Sequence, residues 1–599
     1  MTRNIIKTAR PLLLTCMTII AIGIWLGTDW YTTLPADTPA EYVGTSSCID
    51  CHQDQADLWT GSHHDLAMDV ATADKVLGNF DNATLEHYGI TSTMFRRDGK
   101  FYINTDGLDG EMTDFEIAYV FGVAPLQQYL VEFDRLENQP ENEIARLQVL
   151  RICWDTKQNK WFYLGPPDVH ERLQPNDDLH WTGIAQRWNN MCADCHSTNL
   201  QKNFDAQTGH YHTTFSEIDV SCESCHGPGS KHVTLASNSS LFWDREIGYG
   251  LPVLKGADKA ETQIQTCAPC HSRRRIIHPD FRPGNSFHDH FDNESLRPET
   301  YHADGQISDE VYVYGSFIQS KMYHKGIRCT DCHDAHSTKI KFKGNRLCTS
   351  CHLNQHQANK YDTPQHHFHK TGSTGASCVD CHMPTTTYME VDPRRDHSLR
   401  VPRPDLSLTL GTPNACVNCH FDDDINPSVS LSDERKAELH LKQYADWVRS
   451  AANGEQDVRQ QLQRVNQWAH EAVEKWYPES GHRRTHFGQT LSLAWNQEPL
   501  AADAIIELLE TPETPAIARA AALAWLDPSR SADNADTAIA NLQSNDPQVR
   551  IAALMTMQGY RDNIRGLNPF TTLVKKAMPL LDDPLRSVRV TAVQVVSEI

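Results

Sequence analysis

The sequence predicts two architectures in series: short helices and loops with a small antiparallel β insert up to about residue 430, then an all-α solenoid to residue 599. Three observations predict it. One pentapeptide, Cys-x-x-Cys-His, recurs eight times, always before residue 430. Between its first and second copies runs a long stretch of alternating apolar residues. Beyond 430 the composition turns to Ala, Leu, Arg and Gln with a helical period. A chain of 599 residues, 39% hydrophobic and 22% charged, can bury real cores; it is neither a polytopic membrane protein nor mostly disordered. With 77 acidic against 55 basic residues, the net charge of −22 repels phosphate backbones, so no nucleic-acid partner is expected.

Residues 1–40 come first. Arg3, Lys7 and Arg10 precede an uncharged run from Pro11 to Thr28, and Asp29, Trp30 and Tyr31 close it. A basic flank before an apolar run fits a signal peptide or a single membrane-spanning helix. No small-residue cleavage site follows, and Trp30 and Tyr31 suit the membrane interface, so an uncleaved anchor is expected. In either case the basic end stays inside. The rest then lies on the periplasmic side of the inner membrane, anchored, or is secreted to the periplasm.

The pentapeptides occupy residues 41–430. They are Cys48/Cys51/His52, Cys192/Cys195/His196, Cys222/Cys225/His226, Cys267/Cys270/His271, Cys329/Cys332/His333, Cys348/Cys351/His352, Cys378/Cys381/His382 and Cys416/Cys419/His420. Chance at this composition gives on the order of 0.03 copies. Cysteines at i and i+3 lie on one side of a helical turn, where both thiols reach the vinyl groups of one porphyrin. The histidine at i+4 shares that face and points its imidazole at the iron as proximal ligand. Structural zinc sites or disulfides explain paired cysteines, but not a histidine after every second one. The expectation is eight covalently attached haem c groups. Cys16 lies in the apolar run without a lipidation box, and Cys153 reads as an inert strand residue.

The β insert is expected at about 95–165. Phe101–Asn104, Gln127–Phe133 and Ala145–Trp154 alternate, and a hairpin over Asp155–Lys160 returns into Trp161-Phe162-Tyr163. From 431 to 599, Leu441, Tyr444, Ala445 and Val448 share a helix face. Segments opening at Pro515, Pro547 and Pro584 repeat a Pro-x-x-x-Arg or similar start, with Arg519, Arg550 and Arg589 spaced by 31 and 39 residues. That is the pattern of HEAT-type helix pairs, whose alternative is an ordinary helical bundle. Ile599 leaves an apolar helix without a polar cap, which points to truncation or a partner.

A second axial histidine makes an iron low-spin and electron-transferring, whereas an open position permits catalysis. Of 31 histidines, eight sit in the pentapeptides and 19 of the others lie within 41–430, enough for every iron. His64, His232, His324 and His336 stand near motifs. His336 follows His333 too closely to serve the same iron, and one member of the cluster His366, His367 and His369 is expected to ligate.

Several segments resemble a known family. Tyr42-Val43-Gly44 through Cys48, then Trp59, Ser62, His64 and Ala67-Met68, are similar to the opening of multihaem cytochromes c. That family is typified by the tetrahaem electron acceptor of hydroxylamine oxidoreductase. Trp188-Asn189, Met191-Cys192-Ala193, Cys225-His226-Gly227-Pro228-Gly229, Tyr323-His324-Lys325-Gly326, Cys381-His382-Met383-Pro384 and Arg395-Asp396-His397-Ser398 resemble larger octahaem members. Those members carry a helical-repeat tail of HEAT or tetratricopeptide type. The resemblance implies distal ligation by His64, His232, His324, His336 and His397, with His369 drawn from the cluster.

In a region of about 390 residues, with a radius of gyration near 21 Å, eight haems stand roughly 20 Å apart or closer. An electron-transfer chain of bis-histidine haems between redox partner proteins is therefore the leading expectation, the tail serving as a docking surface. The alternative is a multihaem reductase or oxidase of nitrite, hydroxylamine or tetrathionate at one open haem. No other catalytic constellation stands out.

Overall fold

A computed structural model describes residues 2–597 apart from 36, 168, 244–248, 255, 257–258, 311, 353–360, 423–430, 441, 479–484 and 562–573. Leu441, and Ile599 with its cap, lie outside the described residues. The chain opens with a helix over Thr2–Thr32. Among the described residues this is the one helix long and apolar enough to cross a membrane, over Leu14–Thr32, and its side chains there are almost all exposed.

The β insert is larger than the alternation indicates and forms two sheets. The first runs β1 (Met68–Val70), β6 (Tyr119–Phe121), β7 (Leu126–Phe133), β9 (Ile152–Asp155) and β10 (Lys160–Tyr163), with β8 (Arg146–Val149) also on β7. The second is a meander of β2 (Ala83–His87), β3 (Ile90–Arg97), β4 (Lys100–Asp106) and β5 (Met112–Glu116). All these pairings are antiparallel. The stretch Ala145–Trp154 is not one strand, because Leu150 and Arg151 break it. The Arg151 guanidinium turns inward and donates to the carbonyls of Leu179 at 2.9 Å and Leu164 at 3.0 Å. Cys153 is buried in β9, and burial pushes its thiol well up, which keeps it inert.

The region carrying the pentapeptides has little apolar core. Between Ile318 and Leu406, a stretch with three motifs, Ala376 and Pro404 are the buried apolar side chains among the described residues. Ordinary domains of that size bury many. What apolar packing exists lies at its borders. Ile264, Phe287, Tyr301 and Phe317 form one cluster with Leu491, Ile517, Leu523 and Val588 of the C-terminal helices. Val417 and Phe421 form another with Trp447, Val458 and Leu462.

The change of composition at 430 is therefore not a break in packing. The helices Tyr444–Ala452 and Gln456–Trp476 lie against the last motif, with the Phe421 and Trp447 rings stacked at 3.9 Å. Further on, Ala516–Leu523, Pro547–Arg561 and Arg586–Ser597 pack one on the next. Arg550 and Asp583, both buried, join the last two segments by an ion pair of 2.9 Å. Periodicity identifies a helix with a buried face but not what covers it, and here the pentapeptide region does.

Truncation after residue 430 exposes both border clusters. The truncated chain is expected to lose soluble, cofactor-loaded protein, whereas a separable tail would leave yield and absorption spectrum unchanged.

Candidate functional site

Each pentapeptide forms about one helical turn. Cys222–His226 and Cys378–His382 are five-residue helices, and Ala260–His271, Arg346–His352 and Ala415–His420 end on the motif histidine. In Ala415–His420, Asn414 caps the helix by accepting from the Val417 amide at 3.1 Å. After His226 the chain must leave the turn at once, and Gly227 does so at φ +77°, a conformation that disfavours side chains. The spacing thus keeps both thiols and the imidazole of each copy within about one turn.

The motif histidines meet other histidines at one recurring separation. His52 faces His232 with ring centres 6.2 Å apart, His271 faces His64 at 6.4 Å, and His226 faces His336 at 6.3 Å. His333 faces His397 at 6.3 Å, His382 faces His366 at 6.3 Å, and His420 faces His369 at 6.1 Å. Stacked rings in direct contact are much nearer, as His87 and Tyr163 are at 4.2 Å. Two imidazoles bonded through Nε2 to one metal at about 2 Å each would put their centres roughly 6.3 Å apart. The six separations fit an iron between the rings.

The ring protons fit as well. A carbonyl can only accept, so Nδ1 of His232, His382 and His397 donates to the carbonyls of Tyr249 (3.0 Å), Arg400 (2.7 Å) and Arg395 (2.9 Å). That tautomer leaves the Nε2 lone pair for a metal. Burial holds His64, His333 and His397 below the ordinary histidine range, and His271 at about 4, so these imidazoles are neutral, as ligation requires. None of the 18 cysteines is in a disulfide. Among the described residues no three Cys, His, Asp or Glu side chains converge as a structural zinc site needs.

Thiols link one motif to the next. Cys48 neighbours Cys222, Cys195 neighbours Cys270, Cys267 neighbours Cys329, and Cys348 neighbours Cys378, each thiol shifting the other's ionisation. Cys225 lies within electrostatic reach of Cys267 and Cys270, Cys332 of Cys348 and Cys351, and Cys381 of Cys416 and Cys419. By these neighbours the motifs run first, third, fourth, fifth, sixth, seventh, eighth, and the second branches from the fourth.

The sixteen cysteines differ in cover. Cys51, Cys351 and Cys419 are exposed, whereas Cys48, Cys348 and Cys416 of the same copies are partly covered. The reason is local. Cys51 follows the short helix Ser46–Ile49 in an open turn, and Cys351 lies at the outer end of the helix Arg346–His352. In the first and sixth copies it is the first thiol, Cys48 or Cys348, that neighbours another motif. The second thiol, three residues on, is left at the rim. Packing of the chain therefore does not enclose Cys51 or Cys351, and spacing alone marks them as attachment points.

Two motif histidines and one candidate stand apart. The His196 ring abuts Phe121 of β6 at 4.9 Å, and its Nδ1 donates to the Ala67 carbonyl at 2.9 Å. No histidine ring faces it at the common separation among the described residues. His352 has Tyr361 beside it at 5.9 Å, and residues 353–360 between them are outside the described residues. His324 lies against Tyr323 and is not brought opposite any described motif histidine. The cluster ahead of the seventh motif supplies two facing rings, not one. The short helix Pro364–His367 carries His366 to His382, and the left-handed turn at Phe368 redirects His369 to His420. The sequence reading takes one ligand from this cluster and prefers His369; the signal for His366 as a second is its place three before His369, since two motifs follow and both need a partner.

The tail completes this end. Trp468 lies 4.8 Å from His420, and Trp476 stacks on Phe368 at 4.8 Å.

A family model, cytochrome c554 and c-prime, matches residues 167–227, which hold the second and third motifs. The likeness is that of a multihaem c-type cytochrome, a class that binds haem c covalently. Among solved structures, the outer cell wall cytochrome OcwA aligns with 87% of this chain and 99% of its own at 17% identity and a TM-score of 0.43. No curated protein matches the sequence.

Replacing His336 with Ala is expected to turn one iron high-spin, that of Cys222/Cys225/His226, while the iron of His333 keeps His397. Electron paramagnetic resonance of the oxidised protein checks this. An unchanged low-spin signal would remove His336 from the ligand set.

Proposed function

We propose that the protein is an exported, membrane-anchored octahaem c-type cytochrome that passes electrons between redox partners. The single observation that carries this reading is the continuity of the eight motifs, each with a cysteine neighbour in another. Every motif's two cysteines would form the thioethers, and its histidine would be the proximal ligand. The distal ligands would be His232, His64, His336, His397, His366 and His369 for the first, fourth, third, fifth, seventh and eighth motifs. Haem c supplies reversible one-electron chemistry when bound, and macrocycles would also fill a region that has scarcely any apolar core of its own.

The protein's part is to space the groups, fix the imidazole tautomers and exclude water. Residues 431–599, read as HEAT-type repeats, would cover the last motifs and offer a surface to a partner protein. Intact-protein mass of the exported chain should show eight added haems; six or fewer would refute the cofactor count.

One observation favours a second reading, catalysis at a single open haem. Among the described residues no histidine ring stands opposite His196 at the common separation, so the second motif's iron would keep a position for a small nitrogen or sulfur compound. Rapid-mixing and steady-state assays separate the two. An electron carrier is oxidised quickly by an artificial acceptor yet turns over nitrite, hydroxylamine and tetrathionate slowly or not at all. Rapid steady-state reduction of any of these, with a high-spin signal, would make the second reading correct.

A further inference from the structure

The helix Leu14–Thr32 does not simply precede the rest of the chain, because its outer end is bonded to a distant loop. Asp29 Oδ2 accepts from the Leu241 amide at 2.8 Å, and the Thr33 and Ser240 hydroxyls lie 2.6 Å apart. The loop exposes apolar side chains at that level: Leu241 is 62% exposed and Phe242 46%. On the helix itself Trp30 is 64% exposed and Tyr31 83%. Single exposed apolar residues need no explanation, but these are contiguous with a candidate membrane span. Aromatic and aliphatic residues at the end of a span suit the headgroup boundary, where their burial in lipid is favourable.

The same loop is tied to the first motif. It follows the helix Ser230–Ala236, which carries His232, the ring facing His52. Beyond the loop, the Tyr249 carbonyl accepts from His232 Nδ1, and Tyr249 packs edge-on to Trp243 at 4.4 Å. The linker from the span to Cys48 is also held. The Glu41 amide donates to Ser230 Oγ at 2.8 Å, and Glu223 accepts from the amides of Val43 (3.0 Å) and Gly44 (2.8 Å).

We propose that Leu241 and Phe242 dock into the bilayer surface beside the anchor and hold the first motif, His52 with His232, as the membrane-proximal end of the chain of motifs. This rests on the anchor reading given above. A lipid bilayer is the occupant because the loop is bonded to the residues that end the span, and anything covering it must also meet those residues.

The full chain, reconstituted in phosphatidylcholine–phosphatidylglycerol vesicles with a photoactivatable lipid reactive near the headgroup, provides the test. Peptide mapping should find lipid adducts on both Leu14–Thr32 and Leu241–Trp243. The variant L241E/F242E should lose the loop adducts and keep those on the helix. Adducts on the helix alone in the unmodified protein would overturn the docking proposal, since the loop would then face water, a protein or a second copy, and would leave the anchor reading standing. Adducts on neither segment would overturn the anchor reading itself.

Discussion

The arrangement depends on where a histidine's ring proton goes. Once Nδ1 is committed to a backbone carbonyl, the imidazole offers only Nε2, and the ring plane is fixed by a bond to the main chain rather than by side-chain packing. His232, His382 and His397 are set this way. Each belongs to a different facing pair, and in all six pairs the rings stand 6.1–6.4 Å apart, defining a centre without touching. All but the pair His366 and His382 also join segments remote in sequence. His64 lies just after the first motif and faces the fourth; His336 follows the fifth and faces the third; His397 follows the seventh and faces the fifth. A centre formed at one pair therefore restrains two motifs, and the fold is cross-linked by the contacts that would conduct.

That cross-linking replaces what a hydrophobic core does elsewhere. Burying an aliphatic side chain contributes about 1.5–3 kcal/mol, and the stretch from Ile318 to Leu406 has almost none to bury. Its short helices are too brief to persist alone, since isolated helices below about 12 residues are marginal. Such a segment has little of its own to fold around, and the facing imidazoles mark where a bound group would take that place. The C-terminal helices contribute the remaining apolar surface, at Ile264–Phe317 on one side and at Val417 and Phe421 on the other.

Much of this was legible in the sequence, because the informative patterns are short-range. The pentapeptide spacing maps directly onto one helical turn, and the helical period after 430 onto packed helices. The strands of the insert were visible where alternation is clean, as in Phe101–Asn104. The break at Leu150–Arg151 was not, because an arginine reads as an outward residue until its guanidinium finds the Leu164 and Leu179 carbonyls. Nor does a repeated spacing reveal that Cys51 and Cys351 lie at the rim while Cys48 and Cys348 turn inward, since cover comes from neighbouring motifs. Pairings between motifs were illegible in principle. Which histidine faces which is a property of the closed structure, and neighbours in sequence, such as His366 and His369, serve different motifs. His324 looked as well placed beside its motif as His336, yet only His336 is turned toward another motif's histidine.

The second motif shows how the insert bears on function. For five motifs the ring opposite comes from a segment next to some other motif, and for the seventh it comes from His366 just ahead of it. His196 instead sits against the edge of the first sheet, where the Ala67 carbonyl just before β1 takes its ring proton and Phe121 of β6 abuts its face. The insert separates the first two motifs in sequence, and in space it supplies His196 with a backbone acceptor and an aromatic neighbour. The thiol contacts put this motif on a branch from the fourth rather than between two others. A centre on a branch can exchange electrons with the chain without every electron passing through it. The second motif, whose histidine meets Phe121, is thus placed where its ligation could differ without interrupting the rest, and both properties trace to the same inserted sheet.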